Sequence, residues 1–393
     1  MKLLFLTTED SSFWSHRLQL AHAARKEGAD VVIMTRSGAY RSQLEREGFR
    51  VIVWSISRKS LNPIRELRSF IQVLSTYRAE RPDLVHHIAL KPIVYGTLAS
   101  RLCGGIASVN TLTGLGPVFT RTNMFVKVLR IFVTKLLRMS FGAVNGRVIV
   151  QNENDRELLI REGIAAEERT AVIPGFGVDT EQFMPRPERG GDPLVMLPAR
   201  MLWEKGVREF VEAARELRER GINARMVLVG APDPNNPGCI SEQRLREWAK
   251  AKSVEWWGHQ TDMPAILCQA HLVCLPSYRE GCPKVLLEAS ACGRAVVTTD
   301  VPGCRQAVAH EVNGLLVPAR DAKALGAAIE RLLKDPELRR RLGARGRERA
   351  VNEFSHSVIV SQMMGLYEKL LEGKWSRTAF QSSEEKAEAL TEA

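Results

Sequence analysis

Residues 276–297 run Pro-Ser-Tyr-Arg-Glu-Gly-Cys-Pro-Lys-Val-Leu-Leu-Glu-Ala-Ser-Ala-Cys-Gly-Arg-Ala-Val-Val. The pattern reads as a strand, a Gly/Pro turn, a helix beginning near Pro283, a stop at Gly293 and a further strand. A turn that opens a helix presents backbone N–H groups and the positive end of the helix dipole, a setting suited to phosphate. Glu280 precedes the helix and Glu288 lies within it, so two carboxylates can take hydroxyls from two parts of one ligand lying across Gly281, Cys282, Pro283, Lys284 and Val285. Upstream, Arg200 and Lys205 follow a strand-like run in Pro198-Ala199-Arg200-Met201-Leu202-Trp203-Glu204-Lys205-Gly206. A guanidinium fork and an ammonium at a strand's C-terminal end can neutralise a diphosphate. Both acids could instead be solvated helix residues, and both cations ordinary surface charges.

Four further segments stand at strand ends, where α/β sheets take ligands. The turn in Val254-Glu255-Trp256-Trp257-Gly258-His259-Gln260-Thr261-Asp262 opens another helix, and His259 can either contact a ligand or cap the strand. In the first half, the loop after the first strand carries His16 and Arg17 and lacks G-x-G-x-x-G, which weighs against a dinucleotide-binding opening. Ser57-Arg58-Lys59-Ser60-Leu61-Asn62-Pro63 and Thr113-Gly114-Leu115-Gly116 complete the set. The run His86-His87-Ile88-Ala89-Leu90-Lys91-Pro92 offers two histidines, each open to a role at a reacting centre or to a satisfied core position; His87 lies nearer the C-terminal edge of the expected sheet.

The segment from Pro276 to Val297 resembles the paired-glutamate signature of the family 4 retaining glycosyltransferases of GT-B fold. The first-half loops resemble the branch of that family that builds capsule, O-antigen, lipopolysaccharide and protein-linked glycans on a polyprenyl (undecaprenyl) diphosphate carrier. The resemblance extends to about Tyr367. It implies two Rossmann-like α/β domains with parallel sheets facing a central cleft. It also implies transfer, with retention and without a metal or other cofactor, of an N-acetylhexosamine or a hexose from a UDP-sugar to a polyprenyl-diphosphate-linked saccharide. By that resemblance Arg200 and Lys205 clamp the leaving group, Glu280 contacts the donor sugar, Glu288 holds the ribose, and the turn at Gly258 and His259 reads the base. His87 joins the catalytic set. His16, Arg17, Arg58, Asn62, Lys91, Thr113 and Gly114 become candidates for the acceptor side. One departure is visible: the branch often carries His-x-His followed by Thr-x-Lys-Pro, which shifts the histidine register here.

The elements that must hold these residues are legible as alternation. Short β-branched runs (Lys2–Thr8, Asp30–Arg36, Val51–Ile56, Leu84–Ala89, Arg147–Asn152, Pro193–Ala199, Arg225–Gly230, Val254–Gly258, Leu272–Ser277, Ala295–Asp300) are separated by helix-length segments. Continuous apolar strands between helices indicate parallel sheets covered on both faces. At 393 residues the chain is long enough for two domains. The Gly/Pro-dense stretch at 173–193 puts the boundary at 178/179, and the composition of 376–393 reads as a disordered tail; by the resemblance residues 1–178 bind the acceptor, 179–355 bind the nucleotide sugar, and a helix at 356–371 crosses back.

With 45% hydrophobic and 26% charged residues, the composition excludes disordered, collagen-like and disulfide-scaffold classes. Seven cysteines without a C-x-x-C pair, and no signal-like N-terminus, are consistent with a cytosolic protein. The formal net charge of +11 admits acidic partners. A nucleic-acid-binding protein is the non-enzymatic alternative, opposed by only 6% aromatics and by cations spread along helices. A UDP-sugar epimerase of the same architecture is the enzymatic one. The segment 123–141 has helical periodicity, with Lys127, Arg130, Thr134 and Arg138 on one face and Phe125, Leu129, Phe132 and Leu136 on the other. With Lys135 at its edge, it is expected to lie on an anionic membrane, holding the protein peripherally at the cytoplasmic side of the inner membrane.

Overall fold

The computed structural model describes residues 1–57, 62–114, 124–142, 145–234 and 236–371, the side chains of 124–129 excepted. The chain divides into two compact units: Met1–Val150, Asp155–Ile173 and the chain from Val360 onward in unit 1, and Gln151–Asn154 with Pro174–Ile359 in unit 2.

Unit 1 alternates β1 (Lys2–Thr7), α1 (Asp10–Lys26), β2 (Asp30–Thr35), α2 (Arg41–Arg46), β3 (Arg50–Val53), α3 (Pro63–Glu80), β4 (Leu84–Ile88), α4 (Leu90–Leu102), β5 (Ala107–Thr111), α5 (Met124–Phe141), β6 (Gly146–Val150), α6 (Glu153–Arg161) and β7 (Thr170–Val172). Its sheet has the order β3-β2-β1-β4-β5-β6-β7, and every pairing is parallel. Unit 2 continues with β8 (Leu194–Pro198), α7 (Val207–Glu219), β9 (Arg225–Val229), α8 (Glu242–Lys250), β10 (Glu255–Trp256), α9 (Met263–Leu267), β11 (Leu272–Leu275), α10 (Lys284–Ala291), β12 (Ala295–Thr299), α11 (Pro302–Ala307), β13 (Gly314–Val317), α12 (Ala322–Lys334) and α13 (Pro336–Asn352). Its parallel sheet runs β10-β9-β8-β11-β12-β13, the strand order of a doubly wound nucleotide-binding domain. The last helix, α14 (His356–Leu370), starts in unit 2 and joins unit 1 from Val360.

The strands read as unbroken apolar runs because helices cover both faces. In unit 2, Val195, Leu197, Leu228 and Val297 face one buried cluster, while Leu194, Met196, Val227 and Val296 face another. Adjacent residues thus serve opposite layers, as the two-residue repeat of a strand requires. In unit 1, Leu4, Leu6 and Val85 pack under Val73 and Tyr77 of α3 and Ala99 of α4. Val148 and Val150 pack with Val133, Leu137 and Phe141 of α5. Strands β5, β7 and β13 escape the sequence reading: Ala107-Ser-Val-Asn-Thr111 is half polar, β7 has three residues, and β13 opens on a glycine. No described helix is long and apolar enough to cross a membrane.

Candidate functional site

In unit 2 the chain leaves β8 and β11 side by side, the two strands from which the order runs outward in opposite directions. Open parallel sheets take ligands outside the C-terminal ends of such a pair. The loop after β8 can lie against the loop after β11 because residue 206 is glycine. Gly206 has φ +72°, and a Cβ there would stand 2.0 Å from the Pro276 carbonyl oxygen. The Tyr278 N–H donates to the Glu204 carbonyl at 2.9 Å. This contact brings Lys205 and Glu280 together across 75 positions of sequence, with Nζ 2.5 Å from Oε1 and both side chains mostly shielded.

Arg200 is held elsewhere in the same edge of the sheet: its Nη1 lies 2.7 Å from Asp233 Oδ2, in the loop after β9. Glu288 is buried in α10 and meets Lys284, one turn earlier, at 3.2 Å. No side chain caps α10, whose N-cap is Pro283. Each of the three cations, Arg200, Lys205 and Lys284, is therefore matched to an acid, an arrangement that a diphosphate can enter by exchanging partners. The loops after β9 and β10 are tied together, since the Gly230 N–H donates to the Gly258 carbonyl at 2.7 Å and Trp256 Nε1 donates to the Gly230 carbonyl at 2.9 Å. Gly258, with φ +65°, and the exposed His259 form the rim of that turn. Gly281 accepts at its carbonyl from Asn152 Nδ2 at 2.9 Å. Cys282 is buried, and burial pushes its thiol up to about 12, leaving it an inert packing residue. Val285 is half-buried.

Several supports were not legible beforehand. Asp233 sits in a Pro-rich loop that signals a turn but not a partner for Arg200. Tyr278 OH donates to Glu209 Oε1 at 2.7 Å, and the Arg320 guanidinium lies 4.6 Å from the Tyr278 ring centre. Burial, together with that bond to Glu209, holds the Tyr278 phenol up at about 12. A Cβ on Gly303 would come within 2.4 Å of the Glu280 carbonyl oxygen, so the start of α11 backs the glutamate loop. Among the described residues no group of three or more His, Cys, Asp or Glu is placed to hold a metal ion.

Unit 1 corrects the reading of His87. Strand β4 is covered on both faces, so neighbouring histidines both enter the core. His87 bonds Asn110 Oδ1 through Nδ1 at 2.7 Å and Tyr77 OH through Nε2 at 2.9 Å, under Gly96 of α4, where a Cβ would strike the ring. A ring sealed in this way cannot touch a sugar, and His87 leaves the catalytic set. His86 faces the other layer, bonding Tyr367 OH of α14 at 2.6 Å and Thr111 Oγ1 at 2.7 Å. Arg17, expected on the acceptor side, is also buried, and burial lowers its guanidinium to about 10 while the neighbouring Tyr367 opposes the shift. It belongs to the core beneath α14 rather than to a surface. Asn62 is exposed, but its Oδ1 accepts from the N–H groups of Ile64 and Arg65 at 3.0 and 3.3 Å, so it caps α3.

Other first-unit candidates keep some exposure. His16 is half-buried on α1; Lys91 opens α4, bonding Glu66 Oε2 and the Ser57 carbonyl, both at 2.9 Å. Thr113 is exposed and Gly114 has φ +125° beyond β5. Arg58 lies outside the described residues, as do the side chains of Phe125, Lys127 and Leu129. On α5 the core stripe is Val133, Leu137 and Phe141; Arg130 is half-buried, whereas Phe132 and Lys135 are exposed together. The helix therefore packs through a narrow stripe and shows both bulky apolar and cationic side chains to solvent.

The buried histidines carry a pH prediction. Burial lowers His87 from 6.5 to about 4 and holds His86 well below its ordinary value. The unfolded chain binds these protons first, so stability present above pH 6.5 is lost as pH falls toward about 4, by about 3 kcal/mol for His87 alone. Calorimetry near pH 5, in buffers of different ionisation enthalpy, is expected to register uptake of about two or more protons on unfolding. Uptake of less than one would show that these rings are charged in the fold.

Comparison with known proteins identifies the family. Residues 2–151 match the family model described as glycosyl transferase 4-like, and residues 178–349 match glycosyl transferases group 1. A Campylobacter jejuni protein, N,N'-diacetylbacillosaminyl-diphospho-undecaprenol alpha-1,3-N-acetylgalactosaminyltransferase, is 29% identical over 94% of this chain and 99% of its own. The Escherichia coli UDP-Gal:alpha-D-GlcNAc-diphosphoundecaprenol alpha-1,3-galactosyltransferase is 26% identical over 79% of this chain and 81% of its own. Among solved structures, a sucrose-phosphate synthase from Thermosynechococcus elongatus superposes with a TM-score of 0.78 at 22% identity, covering 95% of this chain and all of that one, a likeness of fold. With both units matched and the paired glutamates in place on the second, the chain belongs to the family 4 glycosyltransferases of GT-B fold.

Proposed function

We propose that this glycosyltransferase moves an N-acetylhexosamine or a hexose from a UDP-sugar to a polyprenyl-diphosphate-linked saccharide in cell-surface glycan assembly, with retention at the anomeric carbon and without a metal. The observation that carries the reading is the Lys205–Glu280 pair at the reversal of strand order, where an ammonium and a sugar-binding carboxylate stand within one hydrogen bond. Unit 2 takes the nucleotide sugar and unit 1 the acceptor. The acceptor hydroxyl attacks the anomeric carbon on the side from which the diphosphate leaves, its proton passing to the departing diphosphate oxygen. As the bond to the diphosphate oxygen breaks, Lys205 and Arg200 meet the growing negative charge, releasing Glu280 and Asp233 in part. Glu280 then orients the sugar hydroxyls, while Glu288 takes the ribose. The carrier-linked acceptors in the names of the Campylobacter jejuni and Escherichia coli relatives support the choice of acceptor class. The enzyme works peripherally at the cytoplasmic face of the inner membrane, with α5 in contact with lipid.

Incubation with a panel of nucleotide sugars and undecaprenyl-diphosphate sugars, followed by mass measurement of the lipid product, tests the proposal. The expected result is a mass increase of one hexose or N-acetylhexosamine on the lipid with a UDP-sugar. Calorimetric binding of guanosine diphosphate with none of uridine diphosphate would overturn the donor, and a changed sugar without acceptor would overturn transfer.

A further inference from the structure

Helices α3, α4 and α5 form one layer over one side of the unit 1 sheet, α3 against α4 and α4 against α5. The outer side of this layer is unusual for a protein surface. Of the twelve large apolar side chains that stand exposed among the described residues, eight are on these three helices. On α3 they are Ile64, Leu67 and Ile71, spaced as one helical stripe on the side away from buried Val73 and Tyr77, with Ile64 65% exposed. On α4 they are Leu98 and Leu102, and on α5 Ile131, Phe132 and Met139, with Phe132 66% exposed. The layer is continuous at its far end, where Arg101 of α4 donates to the Met139 carbonyl of α5. Clustered exposed apolar side chains of this size mark a docking surface.

The charges on the layer choose the occupant. Arg65, Arg68 and Arg78 of α3, Arg101 of α4, and Lys135 and Arg138 of α5 are exposed. The three helices contain two acids, Glu66 and Glu80. Glu66 is taken by Lys91 and Tyr95, and Glu80 by Lys2 and Arg50, at 3.1 and 2.6 Å for the two cations of the latter. The apolar side chains are thus ringed by cations with both carboxylates turned inward. A second copy would oppose this face with the same charge, whereas an anionic bilayer offers acyl chains for the apolar stripe and phosphates for the cations.

We infer that α3 and α4 join α5 in a single face that docks on an anionic membrane, Ile64, Leu67, Ile71, Leu98 and Leu102 entering the lipid with Phe132. This rests on the membrane reading proposed above and extends it from one helix to three. The test is sedimentation of the full chain with vesicles of equal parts phosphatidylglycerol and phosphatidylcholine, and of phosphatidylcholine alone. Wild type is expected to sediment with the anionic vesicles, and Ile64→Ser/Leu67→Ser/Ile71→Ser and Leu98→Ser/Leu102→Ser each to lower the bound/free ratio about tenfold or more. Met184→Ser/Val312→Ser, two exposed apolar sites on unit 2, is expected to bind as wild type. As an independent readout, an environment-sensitive dye on Leu67→Cys should shift to the blue with anionic vesicles. Unchanged binding of the α3 and α4 variants, with no dye shift, while Ile131→Ser/Phe132→Ser fails to bind, would overturn the three-helix face and leave attachment through α5 standing. No sedimentation of wild type would overturn both. A dimer in analytical ultracentrifugation, lost in the α3 variant whose vesicle binding is unchanged, would give the face to a second copy instead.

Discussion

Lys205→Ala is expected to lower kcat by about 10²–10³, the size of effect seen when one preorganised donor is removed from developing negative charge. Two consequences add in this variant. On the proposed mechanism the leaving diphosphate loses an ammonium, and Glu280 is left without its Lys205 partner, a carboxylate beside the place where negative charge would grow. Glu280→Gln removes that repulsion while keeping a group that can bond sugar hydroxyls, so it should cost less turnover than Lys205→Ala. The double variant Lys205→Ala/Glu280→Gln should lose less than the sum of the two single losses in free energy, because the residues touch and share one partner. Steady-state rates on the four proteins, with melting temperatures to show that each is folded, make the comparison. A kcat within about threefold of wild type for folded Lys205→Ala would remove the residue from the leaving-group site.

Much of this site was legible in the sequence because its parts are local. Turn, helix and strand follow one another from Pro276 to Val297, so their order reads directly from one segment. What was not legible is pairing across the sheet. That Arg200 faces Asp233, and Tyr278 reaches Glu209, depends on how loops after different strands meet, which a single chain read along its length does not specify. His87 failed for a related reason. An imidazole in a parallel strand looks the same in sequence at the solvent edge and in the core; only Asn110, Tyr77 and the bare Cα of Gly96, from three other elements, show that its pocket is closed. The α5 periodicity was read correctly as helical, and Phe132 of its apolar face stands at the surface, but the buried stripe, Val133, Leu137 and Phe141, falls on neither of the two faces read from the sequence. A helical wheel gives relative angles, but which sector meets the sheet is set by the neighbours α4 and β6.

Gly206→Ala is expected to produce a large loss of stability in unit 2, and its comparison with Gly221→Ala separates conformation from contact. Both glycines are in the left-handed region, at φ +72° and +74°. A Cβ on Gly221 meets nothing within 4 Å, so that substitution should cost only the left-handed penalty of an alanine, about 1–2 kcal/mol. At Gly206 the same Cβ stands 2.0 Å from the Pro276 carbonyl oxygen and 2.7 Å from its carbonyl carbon. These are backbone atoms of the loop leaving β11, which cannot rotate away as a side-chain tip can, so the two loops must separate. We expect a total cost of about 3 kcal/mol or more, lowering the melting temperature by about 6–12 °C for a unit of this size. Separation of the loops also breaks the Tyr278 to Glu204 backbone bond and moves Lys205 from Glu280, so the folded fraction should lose turnover as Lys205→Ala does. Equal melting temperatures for the two glycine variants would mean that the loop after β8 does not press on Pro276, and that the contact which joins Lys205 to Glu280 is not set by this glycine.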